Sequence, residues 1–360
     1  MPKRKRNDLL LREYDPRCEL VVEQTEIKRA KFPAIDAHCH LGGFVAAGPA
    51  AVRKLVRQMD RINIKAIVSL GAHRSLSDEE TMVGLKRPFP RRFYHLTALP
   101  WEKIAAEKEV GELAAEMLKK AWDRGADGLK IFKELGLRIR DAKGRLIMPS
   151  DKRLDPLWNT CSRLGIPVLF HIADPIAFFR PVDRFNEKYE ELQDHPEWSF
   201  NGPEFPSFRR LMNEQERFLR KHPKIVFQSA HVASYPENLA YVGKLLDAFP
   251  NLNVDISARL HELGRQPATA REFLIKYQDR VTHGLDASGP PFRYQRELSY
   301  FRFYETRDEY FQRWPDAPWQ GGRWCLYGVK LPDTVLRKIY YRNAERIWGK
   351  RPRELKIPLQ

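Results

Sequence analysis

The segment with the clearest chemical potential is His38-Cys39-His40, which follows the short apolar run 33–37. In a β-strand, residues two apart project from the same face, so both imidazoles would point together from a strand end. Two neutral imidazoles on one side form half of a metal site. The alternative is a pair of unrelated polar residues in a loop, and the spacing alone leaves both interpretations open.

Further polar residues stand where other apolar runs end, at His171, at His231 and at Asp286. A single histidine on an apolar strand is more often a core residue with satisfied hydrogen bonds. Four histidines and one aspartate at the same end of four different strands are difficult to obtain by chance. A closed barrel of parallel strands would bring all five side chains to one mouth.

The elements that must position these residues follow from the hydrophobic pattern after residue 32. Apolar, β-rich runs occupy 33–37, 64–70, 93–99, 127–132, 166–171, 224–230, 252–257 and 279–286. Helical patterns lie between and after them at 50–61, 107–124, 153–164, 206–221, 236–249, 267–278 and 332–347. Most runs are continuously apolar, which is typical of parallel strands covered on both faces. Eight strand–helix units predict an α/β fold, a (β/α)8 TIM barrel.

Three connections, 133–152, 173–205 and 287–331, are too long for simple turns. Each follows a predicted strand, so we expect them at the C-terminal face of the barrel as lids or binding elements. The third is rich in aromatic residues and arginine, which also suits the interface of a homodimer. We expect a basic N-terminal extension over 1–31, one barrel domain over 32–350 and a C-terminal tail over 351–360.

Composition limits the class of protein. The 360 residues are 42% hydrophobic, enough for a large core, and the four cysteines form no CxxC pair, which favours free thiols in a reducing compartment. No apolar run suits a secretory signal or a membrane span, so we expect a soluble, cytoplasmic protein. The net charge of +16 is spread along the chain. Without a nucleic-acid-binding motif, this favours a diffusely basic surface over a nucleic-acid site.

The motif Ile35-Asp36-Ala37-His38-Cys39-His40 and the C-terminal segment 331–344 resemble the amidohydrolase superfamily. Within it they are similar to the amidohydrolase-related branch (amidohydrolase 2), which includes decarboxylases similar to aminocarboxymuconate-semialdehyde decarboxylase and resorcylate decarboxylases. The resemblance extends over about 32–348. It implies one divalent metal ion held by His38, His40, His171 and Asp286. It also implies that His231 lies beside the metal, as an acid/base or as an additional ligand. Such a donor set suits Zn²⁺, our first expectation, and also Mn²⁺.

Four residues near the predicted mouth are candidates for substrate binding: Lys130, Arg259, His73 and Trp101. Lys130 could instead be carboxylated to bridge two metals, as in some superfamily members, or could have a structural partner. Arg259 suits bidentate binding of a carboxylate, with a salt bridge to Glu262 or Asp174 as the alternative. These cations indicate a small, carboxylate-bearing substrate.

The resemblance implies a metal-dependent hydrolase that activates water toward an amide, ester or lactone, with Asp286 and His231 handling protons. The alternative is non-oxidative decarboxylation of an unsaturated or aromatic carboxylic acid. A third hypothesis is a barrel that binds nucleic acid or a protein partner without catalysis. One departure from the family is Leu285, where Gly-Thr-Asp is common. His283 stands an odd number of positions from Asp286, so we expect it to face the helices as a structural residue.

Overall fold

The centre of the molecule is a curled, fully parallel sheet. The computed structural model describes residues 9–10, 13–14, 17–71, 75–314 and 322–349. The strands are β1 (Ala34–His40), β2 (Ile64–Leu70), β3 (Phe93–Ala98), β4 (Gly128–Ile131), β5 (Val168–Phe170), β6 (Phe227–Ser229), β7 (Leu252–Asp255), β8 (Val281–Thr282) and β9 (Ala287–Ser288). Their order is β8-β7-β6-β5-β4-β3-β2-β1-β9, and each neighbouring pair is parallel.

The sheet closes on itself where the eighth predicted run meets β1. That run contains β8, which pairs with β7, and β9, which begins directly after the run, pairs with β1. Between them, the N–H of Ala37 donates to the carbonyl of His283 at 2.9 Å, and the N–H of Asp286 donates to the carbonyl of His38 at 2.7 Å. The predicted (β/α)8 barrel is therefore confirmed, and its closing seam holds His38 beside Asp286.

Helices surround the sheet and fill parts of the long connections. They are α1 (Gly42–Ala46), α2 (Pro49–Arg61), α3 (Asp78–Lys86), α4 (Trp101–Ile104), α5 (Val110–Arg124), α6 (Glu134–Leu137), α7 (Asp155–Leu164), α8 (Tyr189–Asp194), α9 (Phe208–Lys221), α10 (Ala230–Ala233), α11 (Leu239–Ala248), α12 (Leu260–Gly264), α13 (Pro267–Lys276), α14 (Tyr294–Glu305), α15 (Asp333–Arg337) and α16 (Asn343–Trp348). Short 3₁₀ turns occupy Lys152–Leu154, Ile176–Phe179 and Pro196–Trp198, and a π-helical turn, Lys338–Arg342, joins α15 to α16.

Local sequence accounts for the main helices. α2 begins with Pro49 at a position where no backbone N–H is needed, and its residues Val52, Leu55 and Met59 are buried along one face. α5 ends at Gly125, whose φ of 116° suits a residue without a side chain. α3 was not among the predicted helices, although Ser77 and Glu80 form a capping box at its start.

The connection 287–331, predicted as a loop, contains α14. Its aromatic residues Tyr300, Phe301 and Tyr304 are fully buried, so they pack within this chain. The described part of the N-terminal segment contacts the same region, because the N–H and hydroxyl of Thr25 donate to Asp308 at 2.7 and 2.6 Å. The division into three regions stays a prediction.

The described helices include none that is both long and apolar enough to cross a bilayer. Cys18, Cys39, Cys161 and Cys325 are all free thiols, as predicted.

Candidate metal centre

The closing seam positions the first candidate ligands at the C-terminal mouth of the barrel. His38 is 1% exposed, whereas His40 and Asp286 are partly exposed. Asp36 connects both sides of the seam, since one of its carboxylate oxygens accepts the N–H of His38 at 3.0 Å and that of Leu285 at 3.1 Å. The aspartate of the motif thus orients the segments that carry His38 and Asp286.

Three imidazole nitrogens lie around the carboxylate of Asp286. The Nε2 atoms of His38 and His40 are 3.5 and 3.1 Å from Oδ1. The Nε2 atom of His231 is 3.8 Å from Oδ2. Ligands about 2.0–2.1 Å from a tetrahedral ion lie roughly 3.3 Å from one another. The spacing of these donor atoms therefore fits a single divalent ion.

Hydrogen bonds on the far side of two rings determine which nitrogen carries the proton. Nδ1 of His38 lies 3.1 Å from Oδ2 of Asp255, and Nδ1 of His231 lies 2.8 Å from the carbonyl oxygen of Ser257. Because both partners accept, each Nδ1 carries the proton and each Nε2 presents a lone pair to Asp286. Lone pairs facing a carboxylate repel it unless a cation lies between them, so the donor set fits a bound metal.

Positive charge at the mouth, on the imidazoles or on a metal ion in place of their protons, favours the ionised form of the two carboxylates. Burial alone would raise the pKa of Asp286, but neighbouring His38, His40 and His231 outweigh burial and hold this pKa well below its usual range. Burial also opposes the ionisation of Asp255, but the adjacent His38 outweighs burial and lowers the pKa of this carboxylate. Both carboxylates are therefore ionised at neutral pH, as a metal ligand and its supporting acceptor must be.

His171 lies in the same region with a different orientation. Its ring centroid is 4.4 Å from that of His231, but its Nε2 is 3.0 Å from the carbonyl oxygen of Ala173 and 3.4 Å from Oδ1 of Asp174. In the described part of the chain, close donor groups are formed by His38, His40 and Asp286 and by His38, His231 and Asp255. The role of His171 as a ligand stays a prediction.

Asp255 is the principal site residue that the sequence argument missed. It ends β7 and is fully buried, where it accepts from Nδ1 of His38, from Nε2 of Gln228 at 3.0 Å and from the N–H of His231 at 3.0 Å. The signal that revealed Asp286, a carboxylate among the last residues of an apolar run, applies equally to Asp255.

His231 does not end a strand, and that part of the prediction was wrong. β6 stops at Ser229, and His231, Val232, Ala233 and Ser234 all have positive φ values, between 53° and 59°. Each non-glycine residue in this left-handed conformation costs about 1–2 kcal/mol. The hydrogen bond from the N–H of His231 to Asp255 stabilises the turn, which directs the ring toward Asp286. Backbone strain of this kind is concentrated at functional sites.

The four candidate substrate residues have different surroundings. Nζ of Lys130 is buried in the described structure without a hydrogen-bond partner, 5.0 Å from the centroid of Phe132. Burial lowers the pKa of Lys130 to about 8, although Asp286 and Asp255 oppose the shift. Arg259 is 8% exposed, with Nη2 3.6 Å from Oδ1 of Asp174. Trp101 is buried in the hydrophobic core, and His73 lies outside the described residues.

A cavity of about 310 Å³ borders the candidate metal ligands. It is lined by Lys133, His171, Asp174, Phe178, Glu191, Trp198, His231, Ala258, Arg259, Leu285, Asp286, Ala287, Arg296, Arg313 and Trp314. A larger groove of about 830 Å³, lined by Phe179, Phe200, Phe208 and their neighbours, contains none of the candidate site residues. The smaller cavity is therefore the candidate substrate site, because it holds the convergent polar groups.

A buried histidine–aspartate cluster at the mouth of a (β/α)8 barrel defines the class of protein. The sequence profile of the family described as Amidohydrolase matches residues 35–350, and the chain belongs to this family. The resemblance inferred from the Asp-x-His-x-His motif is thus confirmed. No curated protein sequence matches the chain significantly.

Solved structures share the fold at low sequence identity. An uncharacterised TIM-barrel protein of Bordetella bronchiseptica has a TM-score of 0.54 and 17% identity, over 88% of this chain and 98% of its own. A 2,6-dihydroxybenzoate decarboxylase from Rhizobium has a TM-score of 0.54 and 14% identity, over 88% and 99%. A dihydroxybenzoic acid decarboxylase from Polaromonas sp. JS666, with manganese and the inhibitor 2-nitroresorcinol bound, has a TM-score of 0.54 and 15% identity, over 88% and 97%.

Proposed function

We propose that the chain is a metal-dependent hydrolase of a small anionic substrate. The observation that carries the proposal is the set of Nε2 lone pairs of His38 and His231 that face the ionised Asp286. His38, His40 and Asp286 would hold one divalent ion, with His171 or His231 completing the site. Such an ion supplies a water molecule of lowered pKa and polarises the oxygen of a carbonyl group.

The protein's own groups then account for the movement of protons. Asp286 and Nε2 of His231 can each accept a proton from the attacking water, because both lack a proton in this arrangement. The water oxygen forms a bond to the carbonyl carbon, the bond to the leaving nitrogen or oxygen breaks, and the proton passes to the leaving atom. Arg259, buried at the cavity wall, is placed to bind a carboxylate of the substrate.

Decarboxylation is the second candidate because of the cavity lining. Phe178, Trp198 and Trp314 present aromatic surface beside Arg259, which suits an aromatic acid. In this reaction the bond between the ring carbon and the carboxylate breaks, carbon dioxide leaves, and the ring carbon takes a proton. The same metal-binding residues serve both reactions, so the distinction is experimental.

Isotope labelling separates the two reactions on one panel of lactones, esters, amides and aromatic acids. Hydrolysis in H₂¹⁸O incorporates one ¹⁸O into the carboxylate product and releases no carbon dioxide. Decarboxylation in D₂O places one deuterium on the carbon that loses carbon dioxide. The hydrolase proposal fails if manganese- or zinc-loaded protein releases carbon dioxide and hydrolyses no member of the panel.

The metal assignment has its own test. Protein purified without chelator should contain about one divalent ion per chain by elemental analysis. Removal with a chelator should abolish turnover, and Zn²⁺ or Mn²⁺ should restore it. Protein that turns over substrate at an undiminished rate without metal would contradict the proposal.

A further inference from the structure

Arg313, in the connection after α14, is a buried cation with no anionic partner in the part of the chain that the structure describes. It is 7% exposed and lines the same cavity as Asp286 and His231. Its Nε has no hydrogen-bond partner, and among the described residues no carboxylate oxygen lies within 4.0 Å of its guanidinium. A buried charge without a counterion is costly, so native proteins rarely retain one without a ligand or a functional reason.

The one side-chain hydrogen bond of this guanidinium within the described ranges goes to a histidine ring, which leaves the charge of Arg313 uncompensated. Nη1 of Arg313 lies 3.3 Å from Nδ1 of His261. Burial, together with the charge of Arg313, holds the pKa of His261 well below its usual range. The imidazole is therefore neutral, with Nδ1 accepting the hydrogen bond. It orients Arg313 and does not neutralise it.

The carboxylates that line the cavity have other partners. Asp174 forms ion pairs with Lys133 and Arg259. Glu191 lies 3.7 Å from Nζ of Lys188, and Asp286 faces the histidines of the metal centre. A bound anion is consequently the group that would neutralise the charge of Arg313.

Neighbouring groups hold Arg313 in place and add a second hydrogen-bond donor. The guanidinium carbon lies 3.8 Å from the centroid of Trp314, and the hydroxyl of Ser299 donates to the backbone carbonyl of Arg313. Trp314 also lines the cavity, and among the described residues its indole N–H has no acceptor. The polar side-chain atoms of Arg313 and Trp314 are all hydrogen-bond donors, so the ligand that these two residues fit is rich in acceptors.

We propose that Arg313 and Trp314 form a subsite for a second anionic group, so that the substrate is a small dicarboxylate with an apolar spacer. This rests on the proposed function, in which the first carboxylate of the substrate binds beside Arg259 and the metal centre. The cavity volume of about 310 Å³ is at the lower end of the usual range for ligand sites, which limits the spacer to about one ring. Arg313 then determines specificity by contact with substrate.

Calorimetric titration of manganese-loaded protein tests the subsite without requiring turnover. The probes are benzoate, the three benzene dicarboxylates and inorganic phosphate. We expect the best dicarboxylate to bind about tenfold or more tightly than benzoate, since a charge-assisted hydrogen bond contributes about 1.5–3 kcal/mol. Equal affinity for benzoate and all three dicarboxylates would overturn the proposal. Phosphate binding more tightly than every dicarboxylate, in an Arg313-dependent way, would overturn the assignment of a carboxylate.

Substitutions test whether Arg313 causes the preference for a dicarboxylate over benzoate. Arg313→Gln should lose the preference for the dicarboxylate and keep the affinity for benzoate. Arg307→Gln, at an exposed arginine of the same connection, is the matched control and should keep both. If Arg313→Gln does not fold, Arg313→Lys carries the test and should reduce the preference severalfold with benzoate binding unchanged. A variant that loses both affinities equally would show that Arg313 has only a structural role.

Thermal stability adds a readout that separates the two roles. Replacing a structural arginine lowers the Tm of ligand-free protein, whereas replacing an uncompensated buried charge leaves it unchanged or raises it. We expect the second result for Arg313→Gln, together with loss of the Tm increase that a dicarboxylate produces. Because these measurements need no turnover, dicarboxylate binding with no hydrolysis would reject the proposed function and retain the subsite. Hydrolysis with no Arg313-dependent preference would reject only the subsite.

Discussion

Two clusters of histidine and carboxylate border the segment 281–288, one of them partly exposed and the other buried. The mouth cluster comprises His38, His40, His231 and Asp286, with imidazole nitrogens 3.1, 3.5 and 3.8 Å from the carboxylate of Asp286. The seam cluster comprises His283, Glu297 and Tyr304. There, both ring nitrogens of His283 have partners, Nε2 with Glu297 at 2.8 Å and Nδ1 with Tyr304 at 3.3 Å.

The comparison shows that burial and residue type do not by themselves define a metal site. His283 and Asp286 are three positions apart in the segment between β8 and β9, and their side chains have different surroundings. The rings of Tyr300, Phe301 and Tyr340 enclose His283, whereas Asp286 borders the cavity. A histidine whose two ring nitrogens both have protein partners stabilises the fold, and a histidine that presents a free lone pair beside a cavity can bind a ligand.

The largest expected effect follows from removing two imidazoles of the mouth cluster. The double variant His38→Ala/His40→Ala should retain less than about a tenth of the wild-type metal content and lose about 10³-fold or more in turnover, because half of the first coordination shell is missing. Elemental analysis and initial rates measure both. His222→Gln, at the residue that follows α9 and outside the mouth cluster, is the control. If the double variant folds and its metal content is unchanged, the mouth cluster does not differ from the seam cluster in binding metal.

The next effect concerns the residue that orients the mouth cluster. Asp255→Asn should weaken metal binding by about 10–100-fold, since an amide can present a donor to Nδ1 of His38 and disfavour the required tautomer. Competition with a chromogenic chelator gives the dissociation constant. Asp279→Asn, at an exposed carboxylate paired with Lys338, is the matched control. An unchanged dissociation constant for the metal would show that Asp255 has only a structural role.

The seam cluster should respond in stability and not in metal content. His283→Leu leaves the buried Glu297 without its histidine partner, which should reduce the free energy of unfolding by about 1–3 kcal/mol. Urea denaturation and elemental analysis on the same preparation separate the two properties. Loss of metal with unchanged stability would show that the two clusters are one functional unit.

The smallest effect is a dependence on pH. Burial raises the pKa of Glu297 from 4.5 to about 7, so folding favours its neutral form. The stability that the neutral carboxyl group of Glu297 contributes is fully present below about pH 4.5 and is lost as the pH rises through about 7. Glu297→Gln has no such group, so its Tm should rise relative to wild type between pH 5 and pH 8. Burial also lowers the pKa of His283 to about 4, below the pH range compared, so this histidine is neutral throughout that range in the wild type. If calorimetry shows that the difference in Tm between Glu297→Gln and wild type does not change with pH, the raised pKa of Glu297 is contradicted.

Much of the site could be predicted from the chain because strand ends are visible as the ends of apolar runs. His38, His40 and Asp286 were found in this way, and the structure brings them together. The predicted strand end at His231 was wrong, because β6 stops at Ser229 and the backbone then turns left-handed, and a hydrophobic pattern reports burial and not the sign of φ. Asp255 was omitted, although the same criterion applied, and α14 was treated as loop because that helix is buried on several faces and lacks a clear polar stripe.

The sequence by itself determined the barrel, the family and the residues that could bind a metal, because strand periodicity and the Asp-x-His-x-His spacing are local properties. Tertiary structure alone decided which nitrogens present lone pairs, since the tautomers of His38 and His231 depend on Asp255 and Ser257 across the barrel. It also decided that Arg313, 82 residues from His231 along the chain, lines the same cavity as His231 and has no carboxylate partner among the described residues. Such properties depend on contacts between distant segments, which no local pattern records.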